Sequence, residues 1–171
     1  MWLRCNLARP KRIVKRHSSL HALSEHHHHA LVQALEIGRA AQAPCADRPA
    51  RLRQAAESLL HFWEIAGRAH FREEEDVLLP ALARHVRLDQ DASVMRMLAD
   101  HAQIRAGLQD LSAGLKSNRV DEPLVIALGQ LLHDHVRLEE DTIFPRIEAV
   151  LGEQELAALS PHLTPLLGKR K

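Results

Sequence analysis

Two stretches of this chain repeat one phrase, His70-Phe-Arg-Glu-Glu-Glu-Asp-Val-Leu-Leu-Pro80 and His135-Val-Arg-Leu-Glu-Glu-Asp-Thr-Ile-Phe-Pro145. In each, a glutamate follows the histidine by four residues: Glu74 after His70, and Glu139 after His135. On a helix, residues four apart face the same way, with Cβ atoms about 5–6 Å apart. Each phrase therefore offers an imidazole and a carboxylate as a chelating pair. Two such helices, face to face, can close around a metal ion or a pair of ions. Burying Glu74 and Glu139 without such compensation would cost several kcal/mol each.

Helical periodicity dominates from Ser24 onward, and no stretch alternates in the manner of a strand. Ser24 reads as the N-cap of a first helix reaching about Gln42, with Leu31, Ala34 and Leu35 on one face. Asp47-Arg-Pro49 opens a second helix, with the aspartate as cap and the proline in the first turn. Its buried face is expected to hold Leu59, Trp63, Ala66, His70, Glu74 and Val77, with Pro80 kinking or ending it. The third helix carries Val94, Met97, His101, Ile104, Leu108, Leu111 and Leu115 at spacings of three and four. Asp121-Glu-Pro123 starts the fourth, whose face reads Leu124, Leu128, Leu131, His135, Glu139 and Ile143. A short segment at Glu153–Leu159 closes the chain. The expected fold is all-α, an up-and-down four-helix bundle with a short C-terminal capping helix.

The second half echoes the first. An offset of 65 superimposes the two phrases, and Asp100-His101 with Ile104 and Leu108 overlays His27-His28 with Leu31 and Leu35. Each of the four helices is therefore expected to place a histidine in its buried stripe: His28, His70, His101 and His135. Within the run His26-His-His-His29 only one or two side chains can face the core, at about 100° per residue. The repeat favours His28, whereas a stripe centred on Leu20, Leu31 and Ala34 would favour His27. The expected ligand is His28, with His27 as the alternative. Glu73, Glu75, Glu140 and Asp141 point away from the ligand face, though Glu75 and Glu140 can steady an imidazole through its second ring nitrogen. His17, His21, His61, His85, His133 and His162 lack such framing and read as surface or structural residues.

Composition narrows the chemistry. The 171 residues suffice for one domain, and 23 basic against 22 acidic side chains suggest neither nucleic acid nor membrane as partner. No apolar run approaches the roughly 20 residues that span a bilayer. Tyrosine is absent, which excludes a tyrosyl radical as oxidant, and the two cysteines, Cys5 and Cys45, form no CxxC pair. A cytoplasmic setting is expected. Residues 1–17 read as a basic tail, 18–160 as the bundle and 161–171 as a C-terminal tail.

These phrases, with Lys15-Arg-His-Ser-Ser-Leu-His-Ala-Leu-Ser-Glu-His-His-His-His-Ala-Leu31 and Asp100-His101, resemble the hemerythrin-like (HHE) domain family over roughly His17 to Val150. The resemblance implies a four-helix bundle around a non-haem di-iron centre. His28, His70, His101 and His135 become terminal ligands, and Glu74 and Glu139 become bridging carboxylates. Mixed nitrogen and oxygen ligation suits iron and also admits manganese or zinc. Oxygen-carrying members place two histidines one turn apart on the third helix. Here the positions four away from His101 are Met97 and Arg105. Four histidines then remain, unless His17 or a second member of the His26–His29 run supplies a fifth. The expectation is a di-iron protein that binds or senses a diatomic molecule, O2 or NO. The alternatives are a di-iron oxidoreductase or iron-repair protein, supplied with electrons by an outside partner, and an iron store. A repair protein of this family often adds an N-terminal cysteine-bearing module, of which Cys5 is a thin echo.

Overall fold

The computed structural model describes residues 16–164. Most of the basic tail, Cys5, and residues 165–171 of the C-terminal tail lie outside the described residues. Five helices follow one another with short links. We label them α1 (His21–Ala41), α2 (residues 48–83), α3 (Ala92–Lys116), α4 (residues 122–150) and α5 (Glu153–Leu159). No described residue is in a strand, and no helix among them is long and apolar enough to cross a membrane.

Local chemistry accounts for the starts. The Asp91 carboxylate accepts from the backbone N–H groups of Ser93 and Val94, and the Asp121 carboxylate accepts from that of Leu124. These bonds satisfy donors that the first helical turn leaves unpaired. Asp47 precedes α2 without a side-chain cap, and the proline in the first turn does the work of initiation. Ser24 is not a cap. A 3-10 turn at Ser18–Leu20 leads directly into α1, and the Ser24 hydroxyl donates to Glu140 instead.

Small residues set the spacing of α1 against α4. A Cβ on Gly129 would lie 2.7 Å from Ile37 Cγ2, so the backbone of α4 approaches that side chain as closely as glycine allows. Ala30, Ala34 and Ile37 form the buried side of α1, whereas Leu35 is 52% exposed. Of the expected face of Leu31, Ala34 and Leu35, Ala34 is buried and Leu31 packs partly buried against the core, whereas the placement of Leu35 is corrected. Close helix approach selects alanine there, and Leu35 falls one residue out of phase.

Helices α2 and α4 are not regular. α2 contains π-helical turns at Trp63–Gly67 and Glu74–Leu78, and α4 contains one at Glu139–Ile143. In these turns the Leu79 N–H bonds back to the Glu74 carbonyl and the Phe144 N–H to the Glu139 carbonyl. The physical reason is a phase problem. Ala66, His70, Glu74, Leu78 and Leu82 are all buried, as are His135, Glu139, Ile143, Ile147 and Leu151. A strict spacing of four drifts by about 40° per step on an α-helix. One extra residue per wide turn takes up the drift and keeps each series facing inward.

The core is split into two apolar slabs. One gathers Ile37, Leu52, Leu59, Ile104, Leu108, Leu111 and Val125. The other gathers Leu20, Leu23, Leu78, Leu82, Val94, Met97, Phe144 and Ile147, and α5 adds Leu156 and Leu159. A layer of buried histidines and glutamates lies in the same bundle.

Candidate metal centre

Six side chains form that layer, from all four long helices: His27 of α1, His70 and Glu74 of α2, His101 of α3, and His135 and Glu139 of α4. All are buried, and Glu74, His101 and Glu139 are completely so. They make two groups, His27–His70–Glu74–Glu139 and His101–His135–Glu74–Glu139, within each of which one donor atom per residue lies within 4.8 Å of the others. Both glutamates belong to both groups. Glu74 turns Oε1 to His27 and His70 (3.7 and 3.2 Å to Nε2) and Oε2 to His101 (3.3 Å). Glu139 turns Oε2 to His27 (2.9 Å) and Oε1 to His101 and His135 (3.6 and 3.1 Å).

The donors fit a cation. The four carboxylate oxygens, His101 Nε2 and His135 Nε2 are buried without a hydrogen-bond partner, despite their short distances to one another. His27 Nε2 and His70 Nε2 stand 3.0 Å apart, two ring nitrogens converging on one another. Unsatisfied buried acceptors in such numbers are costly in a protein alone. Nitrogen and carboxylate oxygen together suit iron, manganese or zinc. Two ions can share the two glutamates, one in each group.

The second ring nitrogens are held in place. His27 Nδ1 lies 2.7 Å from Glu140 Oε1, and the Arg16 guanidinium donates to the other oxygen of Glu140. His101 Nδ1 lies 2.7 Å from Glu75 Oε1, and Arg105 donates to Glu75. An aromatic ring backs each of these two imidazoles: Phe144 stacks on His27 and Phe71 on His101, with the Arg16 and Arg105 guanidinium groups each 5.2 Å from the centroid of the respective phenyl ring. His70 Nδ1 meets His26 Nδ1 at 3.2 Å, and His135 Nδ1 faces Asp100 Oδ2 at 3.9 Å.

The electrostatics follow from this crowding. Burial opposes charge on His101, but the nearby Glu139 and Glu74 carboxylates raise it to about 10. Burial likewise opposes charge on His27, and Glu139, Glu140 and Glu74 outweigh it, holding the imidazole well above its ordinary value. Burial would raise the Glu140 carboxyl, but bonds from His27 and Ser24 hold it down to about 2. Burial lowers His26 to about 4, and the neighbouring His70 adds to the effect. In the metal-free protein His27 and His101 thus carry protons on a site whose ligands must be deprotonated to bind. Metal loading at neutral pH is expected to release the proton of each. Calorimetry in buffers of different ionisation enthalpy measures this, and a heat independent of buffer would contradict it. The sign for stability is equally definite. The elevated His101 stabilises the metal-free fold below pH 6.5, and this contribution is lost as pH rises through about 10.

The structure brings His27, His70, Glu74, His101, His135 and Glu139 together. It places His28 on the exposed side of α1, away from both groups. The expectation that His28 occupies the buried stripe is corrected: Ala30 and Ala34 are the true counterparts of Ile104 and Leu108, and they align His27 with His101. His26, not among the expected ligands, is buried against His70. His17 lies at the bundle end, where Nδ1 accepts from the Ser19 N–H and Nε2 meets Glu153. Asp100 behind His135 and Phe71 and Phe144 against the imidazoles were missed. Asp100 directly precedes His101, as His26 precedes His27, and that parallel was the available signal.

The hemerythrin HHE cation-binding domain matches residues 18–147 of the chain. The protein belongs to this family. The family's cation-binding character agrees with the two buried His–Glu groups. No curated protein and no solved structure gives a significant match.

Proposed function

We propose that this hemerythrin-domain protein holds a two-iron centre and binds or senses a small diatomic molecule, O2 or NO. The observation that carries this reading is a small apolar cavity of about 20 Å3 beside the ligands. Its walls include Phe62, Trp63, Ile104, Leu128, Leu132 and Val136, together with the ligands His70 and His135. A space that size holds one small molecule. With almost no polar wall it favours an apolar diatomic over water. Open grooves of about 480 to 720 Å3 elsewhere on the surface have no ligand residue in their walls. Iron held by the six ligands would supply an open coordination position and one-electron redox chemistry. The chain supplies the rest: Glu75 and Glu140 fix two imidazoles, Phe71 and Phe144 wall the layer, and the apolar lining of the cavity disfavours water.

One observation favours a second reading, a di-iron oxidoreductase fed by an outside donor. Trp63 lies edge-on to Phe71 at 5.2 Å between centroids, and Phe71 stacks on His101 at 3.7 Å. Trp63 also lines the surface groove formed with Arg68, Arg72 and Lys116. This aromatic series links a cationic groove to a ligand.

The deciding measurement is the visible spectrum of iron-loaded protein before and after NO and O2. NO is expected to change it, and Leu132→Phe should suppress the response while iron content holds. A spectrum indifferent to both gases would sink the diatomic reading. An undiminished response in Leu132→Phe would remove the cavity from it.

A further inference from the structure

We infer that the two metal positions differ in affinity, that the His101–His135 position fills first, and that His26 weakens the other because it stands where the second half of the bundle has Asp100. The inference rests on the two-metal reading above and concerns residues that surround the ligands.

The two halves can be compared partner by partner. An offset of 65 residues carries His70, Glu74 and Glu75 onto His135, Glu139 and Glu140, and an offset of 74 carries His27 onto His101. The partners of His27 and His101 match: each Nδ1 lies 2.7 Å from a carboxylate, and an arginine holds each carboxylate. The same offset of 74 carries His26 onto Asp100, and here the halves part. Behind His70 stands an imidazole, 3.2 Å away. Behind His135 stands a carboxylate, 3.9 Å away.

That exchange changes how well each ligand donates. A metal-bound imidazole offers its second N–H to a partner, and a carboxylate partner makes the ring a stronger donor to the metal. An imidazole accepting the same hydrogen bond brings no negative charge. The His101–His135 position is therefore backed by two carboxylates, Glu75 and Asp100. The His27–His70 position has one, Glu140. Asp100 is only 6% exposed, so water does little to weaken its field. Arg96 approaches it at 3.7 Å from a largely solvated position and cannot cancel it. Asp100 Oδ2 and His135 Nδ1 are both buried without a hydrogen-bond partner and face each other across 3.9 Å, whereas His70 Nδ1 is already engaged by His26.

The test titrates metal-free protein with Co2+, read by absorption and by calorimetry. Two binding events are expected, the second weaker by about 10- to 100-fold, the usual effect of a partner behind a ligand. His70→Ala should remove the weak event and His135→Ala the tight one. His26→Asp should bring the two affinities together. Asp100→Asn, which keeps the size and removes the charge, should narrow the gap from the other side and does not depend on His26→Asp folding. Equal affinities in the wild type would overturn the inference, as would a tight event that survives His135→Ala. So would a gap unchanged in both the His26→Asp and Asp100→Asn proteins. A single cobalt ion in wild type and His26→Asp alike would overturn the two-metal reading as well.

Discussion

On the two-metal reading, Glu74→Ala, and equally Glu139→Ala, should cost the protein both metal ions rather than one. Each glutamate gives one oxygen to the His27–His70 group and the other to the His101–His135 group. One truncation thus removes a donor from both four-residue groups. The histidines are not shared. His135→Ala should leave the His27–His70–Glu74–Glu139 group complete and lower metal content only in part. Elemental analysis of loaded and desalted protein separates the cases: near zero for either glutamate variant, an intermediate value for His135→Ala. A Glu74→Ala protein that retains its full metal content would show that the carboxylates are not ligands. Circular dichroism of the same samples checks that the bundle has formed.

Removing the metal should lower the melting temperature substantially. A ligand that binds only the folded state stabilises it by about 2.7 kcal/mol at one hundred times its dissociation constant. In a domain of this length each kcal/mol moves the melting temperature by roughly 2–4 °C. One filled position is thus worth roughly 5–11 °C, and two filled positions more. Hydrogen exchange should localise the loss to the π-helical turns Glu74–Leu78 and Glu139–Ile143, which follow directly on the two shared carboxylates. Identical melting with and without chelator, at verified metal removal, would mean that the polar layer satisfies itself.

Sequence disclosed the bundle because amphipathic spacing is a property of each helix alone. The stripe from Val94 to Leu115 in α3 needed no neighbour to be recognised, and every residue of it but the partly buried Leu115 is buried. The pairs His70–Glu74 and His135–Glu139 were legible for the same reason, four residues being one helical turn. The phase of α1 was not. Which of His27 and His28 turns inward depends on how close α4 comes, and Gly129 and Ile37 settle that across the interface. Reading Leu35 onto the inner face gave weight to size where the interface requires smallness. The Asp100–His135 and His26–His70 pairs were hidden likewise, because each joins residues on different helices with no fixed separation in the chain.

The π-helical turns bear on how such a protein can be altered. A designer improving α2 would be tempted to delete one residue between Glu74 and Leu78 and recover a regular helix with better hydrogen bonding. The local gain would be real. Yet the deletion would rotate everything beyond it by about 100°, swinging Leu78 and Leu82 away from the slab shared with Phe144 and Ile147. The wide turn is a stored insertion whose removal exchanges helix regularity for a water-accessible centre. Sequence length inside these helices is thus as much a functional property as the identity of the ligands, and homologues should be aligned on that footing.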